Sequence, residues 1–171
     1  FQNAGYKTTI WDIGDLSNWN TSKVTSMGSM FDSAGYNATT WSIGDLSNWD
    51  TSSVKNMNAM FQNAGYSATT FDIGDLSNWD TSKVTNMISM FQYCYSLQTI
   101  PLLDTSNVTD MSSMFRCCFS LQTIPLLNTS SATNMASMFR SCTKLTEIPL
   151  LDTGNVTNMF NMFAFCPNLT T

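Results

Sequence analysis

Apolar positions recur along this chain in one fixed order, and their spacing predicts two kinds of element. Val84, Met87, Met90, Phe91 and Cys94 stand at i, i+3, i+6, i+7 and i+10, and Val108, Met111, Met114, Phe115 and Cys118 repeat the stripe. That spacing marks one face of a helix of two to three turns. Just upstream, Asp80, Thr81, Ser82 and Thr85 offer the side-chain oxygens of an N-cap. A second stretch, Leu97, Ile100 and Leu103, aligns without gaps with Ile43, Leu46 and Trp49 and predicts a short strand or corner. Pro101, Pro125 and Pro149 fall inside such stretches. A proline cannot donate to a ladder, so a strand there must be short or turn that position away from its neighbour.

Both stripes belong to one repeat. Phe1, Phe31, Phe61, Phe91, Phe115, Phe139 and Phe163 follow one another at 30, 30, 30, 24, 24 and 24 residues, and all 12 methionines occupy two positions of the unit, three residues apart. The chain therefore reads as a single repeat domain, 1–171. It has long units at 1–30, 31–60 and 61–90, short units at 91–114, 115–138 and 139–162, and a partial unit at 163–171. The six extra residues of a long unit follow Gly35 or Gly65, as in Tyr36-Asn37-Ala38-Thr39-Thr40-Trp41, and predict a loop or added turn on one edge. A unit with one short strand and one short helix cannot bury its apolar face alone, but stacked copies can, which predicts an α/β solenoid. At ~4.7–4.9 Å per coil, six coils would span only ~30 Å. Both ends fall inside the repeat phase and the chain opens on Phe1. The expectation is a piece of a longer polypeptide whose open ends are covered by neighbouring repeats or another chain.

Charge narrows the classes of partner. Seven Lys+Arg against twelve Asp+Glu give a net charge of −5, with no His. Nucleic-acid binding depends on Lys and Arg displacing counterions, so DNA and RNA are not expected. No apolar run reaches the ~18–20 residues of a membrane span, so no membrane insertion is expected in this segment. Asp-Ile-Gly-Asp at Asp12–Asp15 and Asp72–Asp75 brings two carboxylates together, yet the motif repeats, and its middle copy carries Ser42. The reading is of turn carboxylates accepting backbone N–H groups. A stack of Asp15, Asp45 and Asp75 would repel itself; calcium would relieve this, and so would solvent screening with nearby lysines. No cofactor is expected. Zinc, nucleotide and triad chemistry lack their parts, which predicts a protein that is not an enzyme. Cys94, Cys118, Cys142 and Cys166 occupy the slot that Ala34 and Ala64 fill in long units, so they read as buried packing thiols, with one or two disulfide bridges between adjacent coils as the alternative. Thr8, Thr39 and Thr69, and Thr9, Thr40 and Thr70, predict two rows of hydroxyls.

The motif Leu-Ser-Asn-Trp-Asp-Thr-Ser-x-Val-x-Asn-Met-x-x-Met-Phe, whole at Leu46–Phe61 and Leu76–Phe91, resembles the signature of BspA-like leucine-rich-repeat surface proteins, the mycoplasma-lipoprotein type of repeat. The resemblance implies a leucine-rich-repeat-like solenoid, export to the cell surface and adhesion to proteins or other cells, with no shared catalytic residues. Similar repeats in phage proteins bring a virion location into view. The expected function is non-catalytic surface recognition or adhesion, extracellular, toward a protein or glycan on another cell surface. The alternative is a structural stacking spacer of a stalk, phage fibre or filament. Core slots stay apolar while the loop after the Ala/Cys slot varies between units, which favours recognition. Trp19, Trp49 and Trp79 align with Leu103, Leu127 and Leu151 and read as core. Tyr6, Tyr36 and Tyr66, followed by Trp11, Trp41 and Phe71, lie in or beside the inserted residues and form the candidate contact surface. The competing reading has these rings folding back to fill a larger coil.

Overall fold

The computed structural model describes residues 1–170. Three strands form one parallel sheet in the order β1 (Ile10–Asp12), β2 (Thr40–Ser42), β3 (Thr70–Asp72). The register sets Trp11 beside Trp41 and Trp41 beside Phe71, with Asp12, Ser42 and Asp72 in the next row. Single parallel bridges join Ser26, Asn56, Asn86, Asp110, Asn134 and Asn158 in succession. Each unit is therefore one coil, laid in parallel on the one before.

Among the described residues there is no helix. This overturns the α/β solenoid with a helix in each coil, and with it the leucine-rich-repeat solenoid that the resemblance implied. The expected helix at Val84–Cys94 is a chain of β-turns. Met90 N–H donates to the Met87 carbonyl (3.2 Å), Gln92 to Ser89 (3.1 Å) and Cys94 to Phe91 (3.1 Å). The intervening amides of Met87, Ser89, Phe91 and Tyr93 donate instead to Asp110, Ser112, Met114 and Arg116 of the next coil, at 2.9–3.2 Å. Ser89 (φ 55°) and Tyr93 (φ 63°) are left-handed, as the third residue of a type II turn is. A helix needs negative φ throughout and sends every N–H to its own fourth-preceding carbonyl. Successive turns, each closing from a residue to the third one on, aim side chains inward at nearly helical spacing, so the apolar stripe did not distinguish the two. The expected capping oxygens serve other ends. Asp80 accepts the Ser82 amide (3.0 Å), and the Thr81 hydroxyl donates to the Asp104 carbonyl of the next coil (2.8 Å).

The strands also fall elsewhere than expected. Leu97–Leu103 carries none, whereas the six-residue insertion, read as a loop, supplies the first two residues of β2. Thr40-Trp41 combines β-branched and aromatic side chains with a full set of donors, while Pro101 lacks its N–H. The threonine rows shift by one place: Ile10 pairs with Thr40, and the Thr39 amide donates to the Thr9 carbonyl (2.8 Å). Thr8 stands apart, its hydroxyl on the Gly5 carbonyl.

The core runs the length of the stack. Phe31, Phe61, Phe91, Phe115 and Phe139 are fully buried. With Phe1 and Phe163 they form one row of stacked rings at 5.4–5.8 Å between centroids. Met57, Met60, Met87, Met90, Met111 and Met114 are buried beside them. Cys94, Cys118 and Cys142 are buried, and all five cysteines are free thiols. The Cys94, Cys118, Cys142 and Cys166 thiols donate to Phe carbonyls of the preceding coil at 3.0–3.1 Å. Trp49 and Trp79 are buried as leucine substitutes, their indole N–H groups on the Leu16 and Leu46 carbonyls; Trp19 is half exposed.

Candidate contact surface

The structure separates the two aromatic rows of the long coils. Trp11 and Trp41 are buried and Phe71 is partly buried, because alternate residues of a strand face opposite sides and this row faces inward. The Trp41 indole N–H donates to the Ala34 carbonyl (2.8 Å), and its ring stacks on Phe71 at 4.5 Å. Gly35 lies under this row at φ 55°. A Cβ there would stand 2.5 Å from the Trp11 Cβ and 2.7 Å from the Trp41 Cδ1, so Ala-Gly-Tyr places glycine where the aromatic row leaves no room.

Tyr6, Tyr36 and Tyr66 remain at the surface, Tyr6 at 42% and the other two at intermediate exposure. Their rings stack nearly parallel, at 4.8 Å from Tyr6 to Tyr36 and 4.5 Å from Tyr36 to Tyr66. The row continues into the short coils, where Tyr95 lies 4.3 Å from Tyr66 and Phe119 lies 4.5 Å from Tyr95. Sequence reasoning gave the tyrosines no counterpart there. The signal was the aromatic next to the Cys slot, at Cys94-Tyr95 and Cys118-Phe119, one residue closer than in Ala34-Gly35-Tyr36. The Tyr95 hydroxyl donates to that of Tyr66 (2.8 Å). Partial burial, then the neighbouring phenols Tyr66 and Tyr6, push the Tyr36 hydroxyl above its usual pKa; burial and the Tyr66 hydrogen bond do the same for Tyr95.

Carboxylates flank these rows as turn formers. Asp12 accepts the Gly14 amide and Asp72 the Gly74 amide, and Asp15, Asp45 and Asp75 accept those of Ser17, Ser47 and Ser77, all at 2.8–2.9 Å. The serine hydroxyls and amides hold Asp15, Asp45 and Asp75 below the ordinary carboxylate pKa; repulsion from Asp15 and Asp75 acts on Asp45 but is outweighed. Among the described residues no group of three or more Cys, Asp or Glu side chains is placed to hold a metal ion. Among the described residues, too, no helix is long and apolar enough to cross a membrane. Burial pushes the Cys94 and Cys118 thiols up, away from the nucleophilic thiolate.

A groove of ≈ 640 Å³ lies where the last long coil meets the first short one, between Thr69–Leu76 and Ser96–Pro101. It occurs at the one change of unit length, from 30 to 24 residues.

A family described as "Mycoplasma protein of unknown function, DUF285" matches residues 2–116 and again residues 65–171. Neither a curated protein nor a solved structure matches the chain.

Proposed function

Because the chain belongs to the DUF285 family, a Mycoplasma-type repeat family, we propose that it is a non-catalytic recognition and adhesion module of an extracellular surface protein of the BspA-like kind. The observation that carries this reading is the partly exposed row Tyr6–Tyr36–Tyr66–Tyr95. The ring faces cover one another, so a sugar ring cannot lie flat on them; the row offers ring edges and hydroxyls instead. Stacking also restricts the side chains before any partner arrives, so little rotamer entropy is lost on contact. A protein or glycan surface with hydrogen-bonding groups spaced along the row is the partner such an array suits.

The double variant Tyr36→Phe, Tyr66→Phe keeps the stack and removes two hydroxyls. Tested against arrays of glycans and extracellular-matrix proteins, it should lose about tenfold or more of the wild-type binding. Its melting temperature should stay within a few degrees. Unchanged binding by the variant would remove the tyrosine row from the contact surface. The alternative reading, a stacking spacer in a stalk, virion fibre or filament, draws on the unbroken phenylalanine row from Phe1 to Phe163. It is favoured if the wild-type chain binds nothing on either array.

A further inference from the structure

We propose that the groove between the long and short coils takes an extended peptide segment of a partner protein, which adds to β3 as a fourth parallel strand. In a parallel pair, alternate residues direct their N–H and C=O groups to the same neighbour. The Thr39 carbonyl accepts the Thr69 amide (2.9 Å) and the Ile43 amide donates to the Asp72 carbonyl (3.1 Å), so residues 39, 41 and 43 face β3. One coil later, the Thr69 carbonyl, Phe71 and Ile73 face the groove, while the Thr69 amide is bonded back to Thr39. No strand meets them there, because the fourth coil is six residues shorter and sets Gln98, Thr99 and Pro101 across the gap. Among the described residues, Phe71 and Ile73 make no backbone hydrogen bond outside the sheet. Unpaired strand edges of this kind are templates for strand addition.

Two further observations define the occupant. Trp41, with a ring of the row on each side, is 1% exposed, whereas Phe71 ends the row and is only partly buried. An aromatic or large aliphatic residue in register would cover Phe71 as Phe71 covers Trp41. The outward row alternates Asp12, Ser42, Asp72, which keeps like charges from standing side by side. Asp72 and Asp75 both line the groove, so the residue beside Asp72 must be neutral or basic. The partner segment is therefore polar–aromatic–neutral or basic, in extended form. This site rests on the sheet edge alone and stands whether or not the tyrosine row binds.

The probe is a capped heptapeptide with the sequence of Ala38–Gly44, whose Thr40-Trp41-Ser42 already pairs with Asp-bearing strands on both sides. Hydrogen exchange of the Phe71 and Ile73 amides is followed by NMR in the intact 171-residue chain. Both amides should exchange quickly in the free chain and slow about tenfold or more at saturating peptide. N-methylation of the peptide's serine, which faces the Phe71 carbonyl, should abolish the effect. Lysine in place of that serine should bind more tightly at low salt, and aspartate more weakly. The proposal is overturned if both amides are already protected in the free chain. It is equally overturned if millimolar peptide leaves them unprotected, or if the methylated peptide protects them equally.

Discussion

A threonine hydroxyl ties each coil to the next. Thr105 is fully buried and donates to the Asn128 carbonyl at 2.8 Å, and Thr81 and Thr129 make the same bond to Asp104 and Asp152. Thr105→Val keeps the shape and removes the donor to the carbonyl of Asn128, an exposed residue. The expected loss is about 0.5–1.5 kcal/mol, read as a lower urea midpoint at unchanged slope. Thr105→Ser should recover most of it. An equal loss in both variants would mean that the methyl group, and not the hydroxyl, stabilises the site. The Asp-Thr-Ser motif that carries this bond was plain in the sequence, but its hydroxyl was assigned to capping within one coil. Hydrogen bonds to the next coil leave no mark in the sequence beyond the repeat itself.

At the scale of the element, the turn replaces the helix throughout, and the aspartates are part of the reason. Asp15, Asp45, Asp50, Asp75 and Asp80 each accept the amide of the serine two residues on, and that serine's hydroxyl and then its amide hold each below the ordinary carboxylate value. The folded chain thus binds these protons more weakly than the unfolded chain, whose carboxylates titrate near ~3.9. Stability from these turns is present in full above about pH 4 and is lost as the pH falls through the lower folded values. The melting temperature should be level between about pH 7 and 5 and fall below about pH 4. Replacing Ser47 and Ser77 by Ala should make that fall shallower, since Asp45 and Asp75 would then titrate closer to the unfolded value. A melting temperature that holds steady to about pH 2 would show that the turns gain nothing from ionised aspartates. The aspartates were legible as turn formers because Asp followed by Gly or Ser has few other uses. The helix was misread because Met87, Met90 and Cys94 show only which side chains face inward, whereas positive φ at Ser89 and Tyr93 is not written in residue types.

At the scale of the whole molecule, the change of unit length decides both where a partner strand fits and where the stack is weakest. The unit boundaries were read from phenylalanine and methionine alone, but the groove arises from what the fourth coil lacks, and a missing strand becomes visible only once β3 is in place. Coils contact only their neighbours, so stability is a sum of coil terms and interface terms. The interface after β3 has lost its strand pairing and keeps the turn-to-turn bonds, such as Met87 to Asp110 and Ser89 to Ser112 in the coil beyond. All five tryptophans lie within the first 79 residues, so their fluorescence reports the long coils alone. Leu145 is fully buried in the last short coil, and Leu145→Ala should cost about 2–5 kcal/mol. In that variant the far-UV signal should begin to melt at lower temperature while tryptophan fluorescence holds near its wild-type midpoint. If the two signals instead move down together, the junction transmits the full cooperativity of the stack, and the missing strand pairing does not weaken it.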